Sequence, residues 1–202
     1  MMITLTGFMG SGKTTVGKVL ADFLGCPFMD LDDLVVKKAG KSIPDIFAQD
    51  GEPAFRELEA RLLRQTVAKY AESTAVLALG GGAVLAPASA ALLQEKTVCI
   101  YLRATLDTLL VRLEGETAGR PLLQEIPGQA RNDGSGEVGD DGGSAVMPGP
   151  GDSTVMPGPD RASVAARLAS REPIYEETAH VTIDTDGLSP DEVADEIIIS
   201  AL

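Results

Sequence analysis

The 202-residue sequence predicts a single α/β domain spanning residues 1–202, a five-stranded parallel sheet with helices on both faces. Short apolar and β-branched runs recur along the chain, each continuous rather than alternating, as strands buried on both faces are. Segments with helical periodicity separate them. Glycine-rich or acidic turns follow several of the strands, and in parallel sheets ligands bind beyond those carboxyl ends.

The elements follow in order. Met2–Thr6 is short and apolar or β-branched and meets Gly7, so it reads as a buried strand entering a turn. Lys13–Leu24 places Val16, Val19, Leu20, Phe23 and Leu24 on one helical face, and Gly25 stops it. Cys26–Met29 predicts a second strand leading into Asp30. Short helices are expected over Asp32–Ala39 and Ser42–Gln49, the latter with Ser42 as N-cap. Glu52–Tyr70 is a longer helix, and Ala75–Leu79 a third strand that runs into Gly80, Gly81 and Gly82. Ala86–Lys96 is helical by composition, Thr97–Leu102 a fourth strand, and Thr105–Glu114 a helix. Helix resumes over Arg161–Thr178, Val181–Asp184 is the fifth strand, and Ser189-Pro190-Asp191-Glu192 opens the last helix with a capping box.

Composition narrows the function. Hydrophobic residues make up 44% of the chain, enough for a globular core, while aromatics are only 4%, so that core rests on Leu, Val, Ile and Ala. The net charge of −13 argues against a broad basic face for nucleic acid. Two cysteines do not make a disulfide framework. No apolar run reaches the roughly 20 residues that span a bilayer, and no basic-then-apolar leader is evident. The expectation is therefore a cytoplasmic protein with no nucleic-acid or membrane partner.

Residues 125–160 depart from the pattern. They hold nine Gly, five Pro, seven acids and one Arg, and they repeat a Val-Met-Pro-Gly-Pro run at 146–150 and 155–159. Such a segment buries too little apolar area to offset its ordering entropy, and is expected to be a disordered low-complexity insertion.

The chemistry starts at Gly7-Phe8-Met9-Gly10-Ser11-Gly12-Lys13-Thr14, a full G-x-x-x-x-G-K-S/T phosphate loop between a strand and a helix. Its glycines let backbone N–H groups wrap an anion, and the helix N-terminus faces the same anion. Gly10, Ser11, Gly12, Lys13, Thr14 and Thr15 are the candidate nucleotide-binding residues, with Lys13 reaching the β- and γ-phosphates and the Thr14 hydroxyl available to Mg²⁺. Phe28-Met29-Asp30-Leu31-Asp32-Asp33 supplies carboxylates at the end of the second strand. In extended geometry Asp30 and Asp32 share a side. By itself the pattern is equally that of Asp32 or Asp33 capping the next helix. Arg56 and Glu59 are three apart on a helix, and on spacing alone that is either a surface ion pair or a held guanidinium fork.

Taken together, six motifs resemble those of the shikimate kinases, in the same order. Beside the phosphate loop they are Phe28-x-Asp30-x-Asp32, Gly51-Glu52-x-x-Phe55-Arg56-x-x-Glu59, Gly80-Gly81-Gly82, Arg120-Pro121-Leu122-Leu123 and Arg171-Glu172-Pro173-x-Tyr175. The resemblance covers residues 2–123 and 161–202. It implies a three-layer P-loop kinase fold, nucleoside-monophosphate-kinase-like, with a substrate-binding segment at 31–61 and a mobile lid at 112–124. It implies ATP as co-substrate, Mg²⁺ near Thr14 and Asp30, and shikimate as acceptor in aromatic amino acid biosynthesis. Arg56 and Arg171 would take the acceptor carboxylate, and Gly81 would contact it through backbone. Asp32 would hold hydroxyls and serve as candidate base, with Lys13, Asp32 and Arg120 the catalytic set, Arg120 also binding the nucleotide by approaching its transferring phosphoryl group from the lid. A monomer is expected. His180, the single histidine, reads as structural, and Arg112 as a residue that could stack near adenine. Two other readings stay open: a different small-molecule or nucleotide kinase of this fold, and a nucleotide-dependent binding module that transfers nothing.

Overall fold

The computed structural model describes residues 1–117 and 160–201. Five parallel strands form one sheet in the order β2-β3-β1-β4-β5, with β1 at Met2–Thr6, β2 at Phe28–Asp30, β3 at Ala75–Ala78, β4 at Val98–Arg103 and β5 at Val181–Asp184. Ile3 pairs with Val76 on one side and Val98 on the other, so β1 is the central strand.

Alternation along β1 sends Ile3 and Leu5 to one face and Met2, Thr4 and Thr6 to the other. Ile3 and Leu5 meet Val16 and Leu20 of α1 (Lys13–Phe23) and Val193 and Ile197 of α8 (Pro190–Ala201). The opposite face is covered by α4 (Gly51–Lys69), α5 (Pro87–Lys96), α6 (Leu106–Thr117) and α7 (Arg161–Thr178), through Leu63, Leu93, Leu109 and Tyr175. The short helices α2 (Leu31–Ala39) and α3 (Ile43–Gln49) pack on α4 around Val35, Ile46 and Phe55. The predicted three-layer architecture is thus present.

Several local expectations are corrected. The second strand is Phe28–Asp30 rather than Cys26–Met29, because its register against β3 starts at Phe28↔Val76. Phe23 does not join the buried face of α1 and is 68% exposed. The buried residues Val16, Gly17, Leu20 and Ala21 centre on a stripe about 90° around the helix from Phe23, at 100° per residue. Asp30 and Asp32 do not share a strand face, since helix begins at Leu31. Asp30 itself is the N-cap, accepting the Asp32 N–H on Oδ1 at 3.0 Å, which replaces the expectation that Asp32 or Asp33 caps α2. Helix α6 runs on through Thr117, past Glu114 where the sequence suggested it would end; each added residue gains a backbone bond that outweighs one glycine.

Other caps are as expected. Ser42 Oγ accepts the Asp45 N–H, and Ser189 and Glu192 form a reciprocal capping box on α8. His180 Nδ1 accepts the Cys99 N–H at 3.0 Å, so its proton lies on Nε2, which faces the Gln94 carbonyl at 3.0 Å. Among the described residues no helix is long and apolar enough to cross a membrane. Residues 112–117 of the expected lid at 112–124 belong to α6, whereas its remainder and the low-complexity insertion up to residue 159 lie outside the described residues. Asp160 is the N-cap of α7, accepting from the Ser163 N–H.

Candidate active site

The phosphate loop joins β1 to α1 through three glycines in left-handed backbone, Gly7 (φ 145°), Gly10 (φ 80°) and Gly12 (φ 92°). A Cβ at Gly7 would lie 2.7 Å from the Leu102 carbonyl oxygen, so glycine is required there on both counts. Gly12 caps α1 with no side-chain acceptor, and the first turn of α1 carries no acid. The helix therefore presents its first-turn N–H groups and positive dipole to the loop, an arrangement that suits phosphate. Lys13 Nζ arches over the loop and donates to the carbonyls of Gly7 and Phe8 at 2.9 and 2.8 Å.

Thr14 Oγ1 donates to Asp30 Oδ2 at 2.8 Å, binding the loop's hydroxyl to the end of β2. In the first turn of α2, Asp32 is half-buried. Burial first, then the neighbouring Asp30 and Glu59 carboxylates, push its carboxyl up to about 6, against the pull of Lys13. Across from it is Gly80, where a Cβ would sit 2.7 Å from Asp32 Oδ1 and 2.9 Å from Glu59 Oε1. The glycine turn after β3 is thus a floor that two carboxylates touch.

Beside this floor is a cavity of about 280 Å³ lined by Glu52, Arg56, Glu59, Gly82, Ser89 and Arg171, among others. Arg56 Nη1 donates to Glu59 Oε2 at 2.9 Å, and its guanidinium also contacts Glu52 Oε1. Burial opposes the Arg56 charge, but Glu59 and Glu52 together more than offset it and raise the guanidinium above its ordinary value. Burial likewise raises the Glu59 carboxyl, against the pull of Arg56 and Arg171. The cavity's second cation, Arg171, comes from α7 on the far side, with Cζ 5.9 Å from the Phe8 ring of the phosphate loop. One turn further on, Tyr175 Oη donates to the Gly81 carbonyl at 2.5 Å, and its ring packs on Tyr101. A second cavity, of about 360 Å³, opens on the other side of the loop between Gly10, Thr15, Arg112, Thr185 and Pro190. Arg112 is fixed there by the Thr185 hydroxyl and carbonyl at 3.1 and 3.0 Å.

Comparison with known proteins bears on this geometry. The family model described as shikimate kinase matches residues 9–135. A shikimate kinase of Salinibacter ruber is 43% identical over 186 residues, 92% of this chain and 78% of the relative. One of Enterococcus faecalis is 37% identical, over 97% of this chain and 95% of the relative. The chain belongs to the shikimate kinase family. Among solved structures, shikimate kinase from Acinetobacter baumannii in complex with shikimate superimposes with a TM-score of 0.73 at 30% identity, over 98% of this chain and 90% of that one. Shikimate kinase from Aquifex aeolicus gives 0.68 at 26% identity, over 99% and 95%.

Set against the family's motifs, Lys13, Thr14, Asp30, Asp32, Arg56, Gly81 and Arg171 gather at the carboxyl ends of β1, β2 and β3 or on the helices flanking them. Gly10, Ser11, Gly12 and Thr15 line the second cavity. Arg120 lies outside the described residues. Spacing alone did not single out Gly80 and Gly82. Gly81 has room for a Cβ, with nothing closer than 3.5 Å, whereas its two neighbours do not. At Gly82 a Cβ would meet Arg56 Nη1 at 2.6 Å. Three glycines in a row were the available signal. Glu52 was also passed over, although a glutamate four residues before an arginine on a helix is the favourable order for a pair.

Proposed function

We propose that this protein transfers the γ-phosphoryl group of ATP to the 3-hydroxyl of shikimate, yielding ADP and 3-phosphoshikimate. One observation carries the reading: a cavity lined by the guanidinium groups of Arg56 and Arg171 shares Glu59 with the glycine turn that Asp32 touches, and Arg171 lies 5.9 Å from the Phe8 ring of the phosphate loop. An acceptor that bears both a carboxylate and hydroxyls matches that chemistry, the carboxylate toward Arg56 and Arg171 and the hydroxyls toward Asp32. The glycine turn lets backbone reach the acceptor ring at Gly81. Asp32, with a carboxyl near 6, is mostly ionised at neutral pH and can orient the attacking hydroxyl and accept its proton. Lys13 and the N-terminus of α1 stabilise charge on the phosphates. This class of reaction needs positioning and electrostatics more than covalent participation by the protein.

The donor set of Thr14 hydroxyl and Asp30 carboxylate is hard oxygen and small in number, which fits Mg²⁺ shared with nucleotide phosphates and water. When bound, that ion neutralises charge on the β- and γ-phosphoryl oxygens. Among the described residues no cluster of three or more acidic, Cys or His side chains would hold it alone. The second cavity suits the adenine, with Arg112 against its face. Action as a cytoplasmic monomer built as one kinase domain, with 31–61 as the acceptor-binding segment, belongs to the same proposal.

The test is ADP release by the purified protein with Mg²⁺ and ATP, comparing shikimate with gluconate, nucleoside monophosphates and water. Stimulation by shikimate alone supports the assignment, and equal rates with all four would end it.

A further inference from the structure

The guanidinium of Arg56 is held by two carboxylates of different character. Glu59 Oε2 accepts from Nη1 at 2.9 Å, and its side chain is only 5% exposed. Its other oxygen lies against the backbone at Gly80, where there is no room even for a Cβ. Glu52 accepts from both Nε and Nη2 on one oxygen, Oε1, at 3.3 and 3.2 Å, and its side chain is 39% exposed. One acid is built in; the other is lightly attached and open to water.

The edge that Glu52 occupies matters. Nε and Nη2 form one of the two edges along which a guanidinium grips a carboxylate through parallel bonds. Here that edge is engaged by a single oxygen at long range, short of the bidentate optimum. The four charges lining the cavity, Arg56 and Arg171 against Glu52 and Glu59, sum to zero. An incoming carboxylate therefore meets a pocket with no net positive charge and an occupied fork.

We propose that Glu52 is an internal competitor for the acceptor's carboxylate, resting on the Nε–Nη2 edge of Arg56 until a carboxylate-bearing acceptor displaces it. This rests on the reading of the cavity given above. Glu52 touches Arg56 and acts through it, so it sets specificity rather than taking part in transfer. Carboxylate exchanges for carboxylate, and the guanidinium is never left unpaired. A neutral polyol offers nothing to exchange and leaves the fork closed. Because the Glu52 contact is solvent-exposed it is weak, and its removal is expected to change affinity by about two- to fivefold.

The experiment compares the unsubstituted protein with Glu52→Gln in steady-state ADP release, using shikimate and shikimate methyl ester as acceptors. Benzoate, a ring carboxylate without hydroxyls, serves as a ligand followed by calorimetry. In Glu52→Gln the KM for shikimate falls about two- to fivefold, with the change carried by KM rather than kcat. Benzoate binding tightens by a similar factor, and the ester gains nothing. Glu52→Asp, whose shorter side chain draws the carboxylate back, shifts the acids the same way by a smaller factor and covers a failure of the Gln variant to fold. An unchanged or raised KM in a variant that melts like the parent overturns the proposal, as does an ester that gains as much as the acid. Absence of shikimate-dependent ADP release in the unsubstituted protein would instead sink the reading of the cavity, and benzoate binding would still report on the competition.

Discussion

Replacing Gly82 with alanine isolates acceptor recognition from every other function of the site. Gly82 has φ −110° and ψ −2°, which alanine adopts without strain, so the substitution acts through its methyl group alone. That methyl would lie 2.6 Å from Arg56 Nη1, 2.8 Å from Nη2 and 3.0 Å from Cζ, whereas ordinary contact begins at 3.4 Å. The guanidinium must retreat by about 0.8 Å. It can move into the adjoining cavity, which relieves the overlap, but its bond to the buried Glu59 at 2.9 Å stretches or breaks. Charge-assisted hydrogen bonds contribute about 1.5–3 kcal/mol each, and one misplaced at the acceptor's carboxylate corresponds to a rise in shikimate KM of roughly 10- to 150-fold. The KM for ATP should stay close to that of the parent, because none of the phosphate-loop contacts involves Gly82. The assay is initial-rate ADP release with shikimate varied at saturating ATP, then the reverse, beside a thermal melt. A shikimate KM within twofold of the parent in a folded Gly82→Ala protein would refute the claim that the glycine turn is shaped around Arg56.

Other outcomes follow from the same geometry. Lys13→Met should lower kcat by about a hundredfold or more, since a preorganised cation at the transferring group is lost; rates at saturating ATP check it, and a drop confined to the KM for ATP would contradict it. Gly17→Ala forces a Cβ to 2.5 Å from the Phe28 ring and 3.2 Å from Leu5, and should destabilise by about 1–3 kcal/mol, read as a fall of several degrees in Tm. Asp184 joins β5 to Arg103 of β4 through two bonds at 2.6 and 2.9 Å, and that contact holds its carboxyl below the usual range. A carboxyl depressed in the folded protein contributes stability above its unfolded pKa of about 3.9, and that contribution fades as pH falls through the folded value. Asp184→Asn should therefore melt slightly below the parent at pH 7, by no more than about 1 kcal/mol for so exposed a pair, and the gap should close below about pH 4; a gap that widens in acid would reverse the assignment.

Much of this was legible one segment at a time. The phosphate loop is a local device: Gly7, Gly12, Lys13 and Thr14 work through backbone conformation and a helix N-terminus that eight consecutive residues specify. The capping box at Ser189 and Glu192 and the cap at Ser42 are equally local. The register of β2 was not, because Cys26–Asp30 reads as strand throughout and only pairing of Phe28 with Val76 fixes where it starts. Nor was the fate of Phe23, whose hydrophobicity suggests burial although among the described residues no element covers its side of α1.

The sequence alone determined the sheet class, the anion cradle and the residue types that a carboxylated polyol needs, since each depends on short-range pattern. Tertiary structure decided which of those residues meet. Arg56 and Arg171 are 115 positions apart and share a cavity only because α4 and α7 cover the same face of the sheet. The raised carboxyl of Asp32, the tight floor at Gly80 and Gly82, and the division of Arg56 between a buried and an exposed acid are likewise properties of distance and burial. Those quantities come into being when separate segments pack together, and no single segment carries them.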